Sequence, residues 1–227
     1  MHLKVSGAAR LLEVEPDTVL RWIKEKGLPA QRLRDQFYVN SVELQEWALA
    51  NHIRMAPPPE EETSRGERAA DLISALERGG VHADVPGATR DEVLASVVRL
   101  PGIPERIDRE ALLQLLLARE MLGSTGVGGG IAIPHPRTPL VLDVETPSIA
   151  VACYLPKPIE FKAVDGKPVW MLFLLLSPTI SDHLKLLAQL SWALHDAELR
   201  RLLEQRAPLD ALLLRLRTMR GGDGAAH

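Results

Sequence analysis

The chain holds a single cysteine, Cys153, among its 227 residues. One thiol cannot build an internal disulfide framework. Its apolar surroundings at 149–155 predict a buried small hydrophobe. Long hydrophobic runs are missing as well. The longest, near 169–176, has the length of a buried strand and falls short of the roughly 18 residues that span a bilayer. Membrane insertion is therefore not expected. The N-terminal stretch lacks the layout of a secretory leader, because Lys4, Arg10 and Glu13 interrupt it. The expected compartment is the cytoplasm. A large excess of one charge is also absent: the formal net charge is −3. That excludes wholesale coating of nucleic acid and a long acidic tail. No internal repeat is visible. Hydrophobic content of 46% with 25% charged residues is ordinary for a globular chain, and the length allows two domains or one large one.

Residues 56–67 read Ala-Pro-Pro-Pro-Glu-Glu-Glu-Thr-Ser-Arg-Gly-Glu. Adjacent prolines and acids with no apolar anchor mark a linker. It divides a head, 1–55, from a body, 68–219. Residues 220–227, rich in glycine, form an expected mobile tail.

In the head, Ser6 is the expected cap of a short helix through Leu12. Pro16 suits the first position of a second helix over 16–26, and Gly27 suits the position after its end. Residues 30–33 and 37–39 flank a turn at Arg34-Asp35-Gln36 and form a small hairpin, or wing. Ser41 is expected to cap a third helix with Val42, Leu44, Trp47 and Leu49 on its apolar positions. Helix, turn, helix, wing, helix is a winged helix-turn-helix layout. This segment resembles the excisionase/MerR-like DNA-binding domains, in residues 5–14, 18–24, 27–30 and 42–47. The resemblance implies DNA as a partner. Thr18 and Arg21 on the second helix are candidate groove contacts, Lys24 is a further candidate DNA-binding residue there, and Arg32 and Arg34 are candidate wing contacts. Basic residues barely outnumber acidic ones in the head, so a lone copy would grip phosphates weakly, and a homodimer is the expected form on DNA. A protein-binding module without DNA affinity is the competing reading.

The body reads as helices and strands in alternation. Helices are expected near 68–76, over 89–100 behind a Thr89–Glu92 capping box, over 108–120 behind Asp108, from Ser181 or Asp182 to about Gln205, and over 209–219. Strands are expected at 131–133, 148–155 and 169–176. Strands bounded by helices suggest an α/β sandwich.

Residues 121–137 carry the chemistry. They read Met-Leu-Gly-Ser-Thr-Gly-Val-Gly-Gly-Gly-Ile-Ala-Ile-Pro-His-Pro-Arg. Five glycines within eight residues give a loop whose amides can face an anion without Cβ obstruction. Gly123, Ser124, Thr125, Gly126 and Gly128 are the candidate phosphate-binding residues. A short strand follows, and Pro134 ends it to present His135. The plainer alternative is a tight turn beside a structural histidine. No Gly-Lys-Ser/Thr follows, so this is not a Walker loop, and no acid stands where a dinucleotide fingerprint needs one.

Residues 119–135, Arg-Glu-Met-Leu-Gly-Ser-Thr-Gly-Val-Gly-Gly-Gly-Ile-Ala-Ile-Pro-His, resemble the signature of the fructose/mannitol-type enzyme IIA domains of the bacterial sugar phosphotransferase system. That family includes a nitrogen-regulatory branch. The resemblance runs from about Asp71 to Leu214 and includes Phe-Lys-Ala-Val-Asp-Gly-Lys-Pro-Val at 161–169, Ser177-Pro178 and His-Leu-Lys-Leu-Leu-Ala-Gln-Leu-Ser at 183–191. It implies a mixed sheet with helices on both sides. It implies that His135 is the phosphorylated residue, that the donor is the phosphorylated histidine phosphocarrier protein, and that no cofactor is needed.

Imidazole suits such a relay, since its ordinary pKa of about 6.5 keeps the nucleophilic neutral form common. The resemblance places His183 beside His135. By its own spacing, His183 shares a helix face with Leu187, Leu190 and Leu194, which also suits a hydrogen-bonded core residue. A helix N-terminus just ahead of it favours an anion. Arg119 offers a fork of donors to phosphate, or a charge for the end of its helix. No close-spaced ligand pair points to a metal. Asp165-Gly166 reads as a turn, and His195 as a surface residue. Two positions depart from the family: Pro136 replaces a glycine, and Trp170 a small acidic residue.

The expected function is a phosphohistidine carrier or sensor, nitrogen-regulatory-like, coupled to DNA binding through the head. Two alternatives stand beside it. One is the IIA component of a sugar-transport system that passes phosphate to a IIB domain. The other is a DNA-binding regulator with an inactive body.

Overall fold

The computed structural model describes residues 2–33, 36–51, 53, 70–136 and 146–222. The expected linker, the turn residues Arg34 and Asp35, and residues 223–227 lie outside the described residues.

The head consists of β1 (His2–Lys4), α1 (Val5–Leu11), α2 (Pro16–Glu25), β2 (Gln31–Leu33), β3 (Gln36–Asn40) and α3 (Ser41–Ala50). The expected wing gains a third strand: β1 pairs antiparallel with β3, opposite β2, giving the order β1-β3-β2. Ser6 is not a cap. The extended Lys4 at the end of β1 leads directly into α1, without a side-chain cap bond, and Ser6 lies within the helix. Pro16 takes the first position of α2, where its missing N–H has no partner to lose. Ser41 is the first residue of α3, and its buried hydroxyl makes no hydrogen bond among the described residues. Ala8, Leu12, Val19, Leu28, Val39, Leu44 and Ala48 form the head core. Trp47 ties α3 to the end of α2, its indole Nε1 donating to the Lys26 carbonyl at 3.1 Å.

The body has α4 (Leu72–Gly79), β4 (Val81–His82), α5 (Arg90–Val97), α6 (Arg109–Met121), β5 (Gly126–Gly128), β6 (Ile131–Ala132), β7 (Ile149–Ile159), β8 (Val169–Leu176), α7 (Ile180–Ala193), α8 (Ala197–Glu204) and α9 (Leu209–Gly222). Its mixed sheet runs β4-β7-β8-β6-β5. β4 and β7 are parallel, as are β6 and β8, while β7–β8 and β5–β6 are antiparallel. Strand alternation sorts the two faces. Ala150, Ala152, Tyr154, Met171, Phe173 and Leu175 face α4, α7, α8 and α9. Ile149, Val151, Cys153, Leu155, Leu172 and Leu174 face α5 and α6. The result is the expected sandwich with helices on both sides. Cys153 is fully buried, and burial pushes its thiol up to about 12.

Several boundaries differ from expectation. α4 starts at Leu72, because the Asp71 carboxylate accepts from the Ser74 amide. The cap expected at Ser181 or Asp182 is Thr179, whose Oγ1 accepts from the Asp182 amide at 3.0 Å. The long helix expected from there to Gln205 is two helices. Asp196 interrupts it by accepting from the Leu199 amide at 2.7 Å, which starts α8. Thr89 caps α5 as expected, but Glu92 reaches back to the Ala88 amide rather than that of Thr89. Asp108 caps α6 as expected. There Leu112 and Leu116 are buried, while Leu113, Leu115 and Leu117 are only half-buried.

α4 meets β7 and the 99–103 turn at very short range. A Cβ on Gly79 would lie 2.1 Å from the Ala150 carbonyl oxygen, and one on Gly102 would lie 2.0 Å from the Gly79 carbonyl oxygen.

The head rests on the body through α3, which packs against α7 and β5. Leu49 of α3 joins the body core, and Ala188 of α7 joins the head core. Full burial of a leucine contributes about 1.5–3 kcal/mol. No helix among the described residues is long and apolar enough to cross a membrane.

Candidate functional site

His135 stands at the end of an extended segment pinned to the sheet. After β6, Ile133 donates its amide to the Thr125 carbonyl at 3.0 Å, and the Pro134 carbonyl accepts from the Leu175 amide at 3.0 Å. The proline thus keeps its place at the ladder by accepting only. The His135 ring follows, with 2% of the residue exposed. Its Nδ1 lies 2.7 Å from the Ile133 carbonyl oxygen. That contact aims Nε2 away from the sheet.

Three further groups meet there. His183, on the first turn of α7, places its ring centroid 4.7 Å from that of His135, tilted 44°. It is buried, and its Nε2 has no hydrogen-bond partner among the described residues. Burial, then the neighbouring His135, pushes its pKa down from 6.5 to about 3, so the ring is neutral at physiological pH. Arg119, on the last turn of α6, is buried and donates through Nη1 to the Gly123 carbonyl at 2.8 Å. Sequence reasoning singled out these three residues, and the fold brings all three together.

The fourth group is one that sequence reasoning missed. Glu46 of α3, 89 positions before His135, places Oε1 2.8 Å from His135 Nε2. Its Oε2 accepts from Arg119 Nη2 at 2.8 Å. Burial alone would raise the Glu46 carboxyl. The His135 hydrogen bond and the attraction of His135 and Arg119 outweigh it and hold the carboxyl below its ordinary value. Both ring nitrogens of His135 therefore face acceptors, the Ile133 carbonyl and an ionised carboxylate. Only a ring with a proton on each nitrogen satisfies both. No sequence signal separated Glu46 from other helix-surface acids.

The glycine segment is built differently from an open anion cradle. It forms β5, a turn at Gly129-Gly130, and β6. The Thr125 amide donates to Glu120 Oε2 at 3.2 Å, and the Thr125 hydroxyl also bonds Glu120. The Gly126 amide donates to Ser124 Oγ at 3.0 Å, while that hydroxyl donates to the Phe161 carbonyl at 2.5 Å. Asp165 accepts from the Gly129 amide at 2.9 Å. Of the expected phosphate-binding residues, Ser124, Thr125 and Gly126 thus spend these donors within the chain. Gly128 pairs with Ile131 across the hairpin, and Gly123 supplies the carbonyl that Arg119 holds. Thr125 and Glu120 are buried and tie the hairpin to the end of α6. A buried acid before a glycine run had no readable signal.

Trp170 fills the space over the hairpin turn. A Cβ on Gly130 would come within 2.0 Å of its indole Nε1, and the ring stacks on Tyr154 at 6.5 Å. It is a packing residue and stands apart from the four groups at His135. Asp165-Gly166 forms the expected turn, closed by the Gly166 amide donating to the Ala163 carbonyl at 2.9 Å. His195 is exposed, as expected, with Nδ1 2.8 Å from the Ser191 carbonyl.

In the head, Arg21 and Lys24 are exposed on α2, Thr18 is half-buried there, and Arg32 is exposed on β2. Arg34 lies outside the described residues.

Known proteins share both parts of this architecture. Residues 75–217 match the family described as the phosphoenolpyruvate-dependent sugar phosphotransferase system, EIIA 2. Residues 3–52 match a helix-turn-helix domain family. The chain is 39% identical over 145 residues to the nitrogen regulatory protein of Pseudomonas aeruginosa, covering 62% of this chain and 91% of that one. It is 38% identical over 123 residues to the fructose-specific EIIA component of Haloferax volcanii, covering 53% and 77%. The crystal structure of the nitrogen regulatory protein IIA-Ntr from Neisseria meningitidis is similar with a TM-score of 0.55 and 26% identity, over 64% of this chain and 98% of that one. The chain therefore belongs to the EIIA 2 family of the sugar phosphotransferase system, in a nitrogen-regulatory-like form that carries a helix-turn-helix domain ahead of the EIIA body.

Proposed function

We propose that His135 accepts a phosphoryl group at Nε2 from the phosphorylated histidine phosphocarrier protein, and that the head turns this state into a change in DNA contacts. The observation that carries the reading is the orientation of the His135 ring. The Ile133 carbonyl, 2.7 Å from Nδ1, holds a proton on that nitrogen and leaves the Nε2 lone pair as nucleophile once no acceptor faces it. That lone pair forms the new N–P bond while the donor's N–P bond breaks, its electron pair returning to the donor imidazole. Arg119 supplies a fixed guanidinium beside Nε2 for the transferring oxygens. His183, neutral and without a partner among the described residues, supplies a further nitrogen to the same place. The chemistry is mostly positioning and charge stabilisation. It needs no metal or cofactor.

The test is phosphorylation of the purified chain by phosphoenolpyruvate, enzyme I and the phosphocarrier protein, followed by intact mass. One phosphoryl group is expected on the wild-type chain and none on His135→Ala. A His135→Ala variant that still gains the group ends the reading, as does a chain that stays unmodified beside an active control even with Glu46→Ala.

For the head, α2 is the proposed groove element and β2 the proposed wing contact. α3, not α2, carries the packing on the body, so the exposed side chains of α2 stand on another surface. Arg21→Ala should weaken binding about equally across DNA sequences. It should also lower the slope of log affinity against log salt by about 1, as loss of one phosphate contact requires. Fluorescence anisotropy over a salt series measures both. An unchanged slope would remove Arg21 from the interface.

A further inference from the structure

We infer that Glu46 is a built-in occupant of the phosphoryl position, so that docking of the head on the body and phosphorylation of His135 exclude one another. The inference rests on the proposed acceptor role of His135. Glu46 uses its two carboxylate oxygens as two oxygens of a phosphoryl group would be used, one toward His135 Nε2 at 2.8 Å and one toward Arg119 Nη2 at 2.8 Å. The occupation blocks the reaction in two ways. A carboxylate oxygen stands at hydrogen-bond distance from the attacking nitrogen, where phosphorus must arrive. The same oxygen keeps a proton on Nε2, which removes the lone pair that attacks.

One feature fits a contact that can be broken. The carboxylate is an incomplete substitute, since it leaves the buried His183 Nε2 without a partner among the described residues. A phosphoryl group brings three oxygens to the same place. Against this, Leu49 seats in the body core and holds the head down when His135 is unmodified. Once phosphorylated, His135 presents negative charge to the Glu46 carboxylate at the same spot, and Arg119 has only one fork to offer. Repulsion then drives α3 off α7 and β5. The intramolecular partner of this site is therefore the chain's own head, and the phosphoryl group is the signal that releases it. By reciprocity, whatever favours the undocked head favours the phosphorylated form at equilibrium by the same factor.

The experiment uses the full chain as wild type, Glu46→Ala and Glu46→Gln. Alanine suits a helix interior, so the fold of α3 is expected to survive. The initial rate of phosphorylation by the phosphocarrier system should rise about tenfold in Glu46→Ala, as an unmasked site requires. Glu46→Gln, which keeps the shape without the charge, should fall between. Equal rates in all three overturn the inference and leave the acceptor role of His135 standing. If none of the three is phosphorylated beside an active control, the acceptor reading fails, and a second measurement still decides the contact. The His135 ring nitrogen signals by NMR and the exchange rates of the α3 amides should both change between wild type and Glu46→Ala. No change in either overturns the docking of Glu46 whatever the chemistry.

Discussion

Arg119→Ala is expected to slow phosphorylation of His135 by about 10²–10³-fold, the range found when one preorganised charge or donor is removed from a transfer site. The guanidinium is buried and fixed at both ends, by the Gly123 carbonyl and the Glu46 carboxylate, so it needs no reorganisation when charge develops. Loss of Arg119 also removes half of what holds Glu46, and a looser head would by itself favour reaction. The clean comparison is therefore Arg119→Ala in the Glu46→Ala background, where the head contact is already gone. Single-turnover rates read by intact mass give the answer. Arg119→Lys should recover little, because one ammonium cannot hold the Gly123 carbonyl and serve the phosphoryl oxygens in the same planar geometry. A rate within about threefold of the parent would reduce Arg119 to a partner of the α6 terminus.

Gly79→Ala is expected to destabilise the body by about 3 kcal/mol or more, and to lower the melting temperature by roughly 10 °C. The added Cβ would meet the Ala150 carbonyl at 2.1 Å, a backbone atom of the central strand β7 that cannot swing aside as a side chain can. Gly102→Ala should behave alike, since its Cβ would meet the Gly79 carbonyl at 2.0 Å. Thermal unfolding followed by circular dichroism checks both. A shift of only a degree or two in either variant would show that α4 can retreat from the sheet.

These two cases also show what the sequence could disclose. Arg119 was legible because it stands beside a dense motif that includes His135, and the resemblance extended to His183. The strands at 131–132 and 169–176 and the 149–155 part of β7 were legible from apolar runs, and α6 from its cap, while the extension of β7 through Pro156 and Pro158 to Ile159 was not. The short strands β4 and β5 were not, since two or three residues, some of them glycine, carry no alternation. The division of α7 from α8 was missed because apolar spacing continues across it. Only the Asp196 side chain, bonded back to the backbone, ends the pattern. The crowding at Gly79 depends on β7, and Glu46 on the meeting of two domains. Neither is a property of neighbouring residues. The glycines of 123–130 fit a tight hairpin beneath Trp170, while the polar side chains that engage its amides come from Glu120, Ser124 and Asp165.

The seat of α3 on the body has a quantitative consequence for signalling. A carboxylate on an imidazole and one leucine in a groove would be a feeble association between separate molecules. On one chain, the head meets the body at an effective concentration of the order of millimolar. A phosphocarrier acting as the proposed donor at much lower concentration would therefore have to win against a competitor that never diffuses away. In the proposed role, the threshold at which the chain answers to phosphotransferase flux is then set by the length of the tether and the quality of one side chain. Both can change by small steps in sequence without touching either His135 or α2.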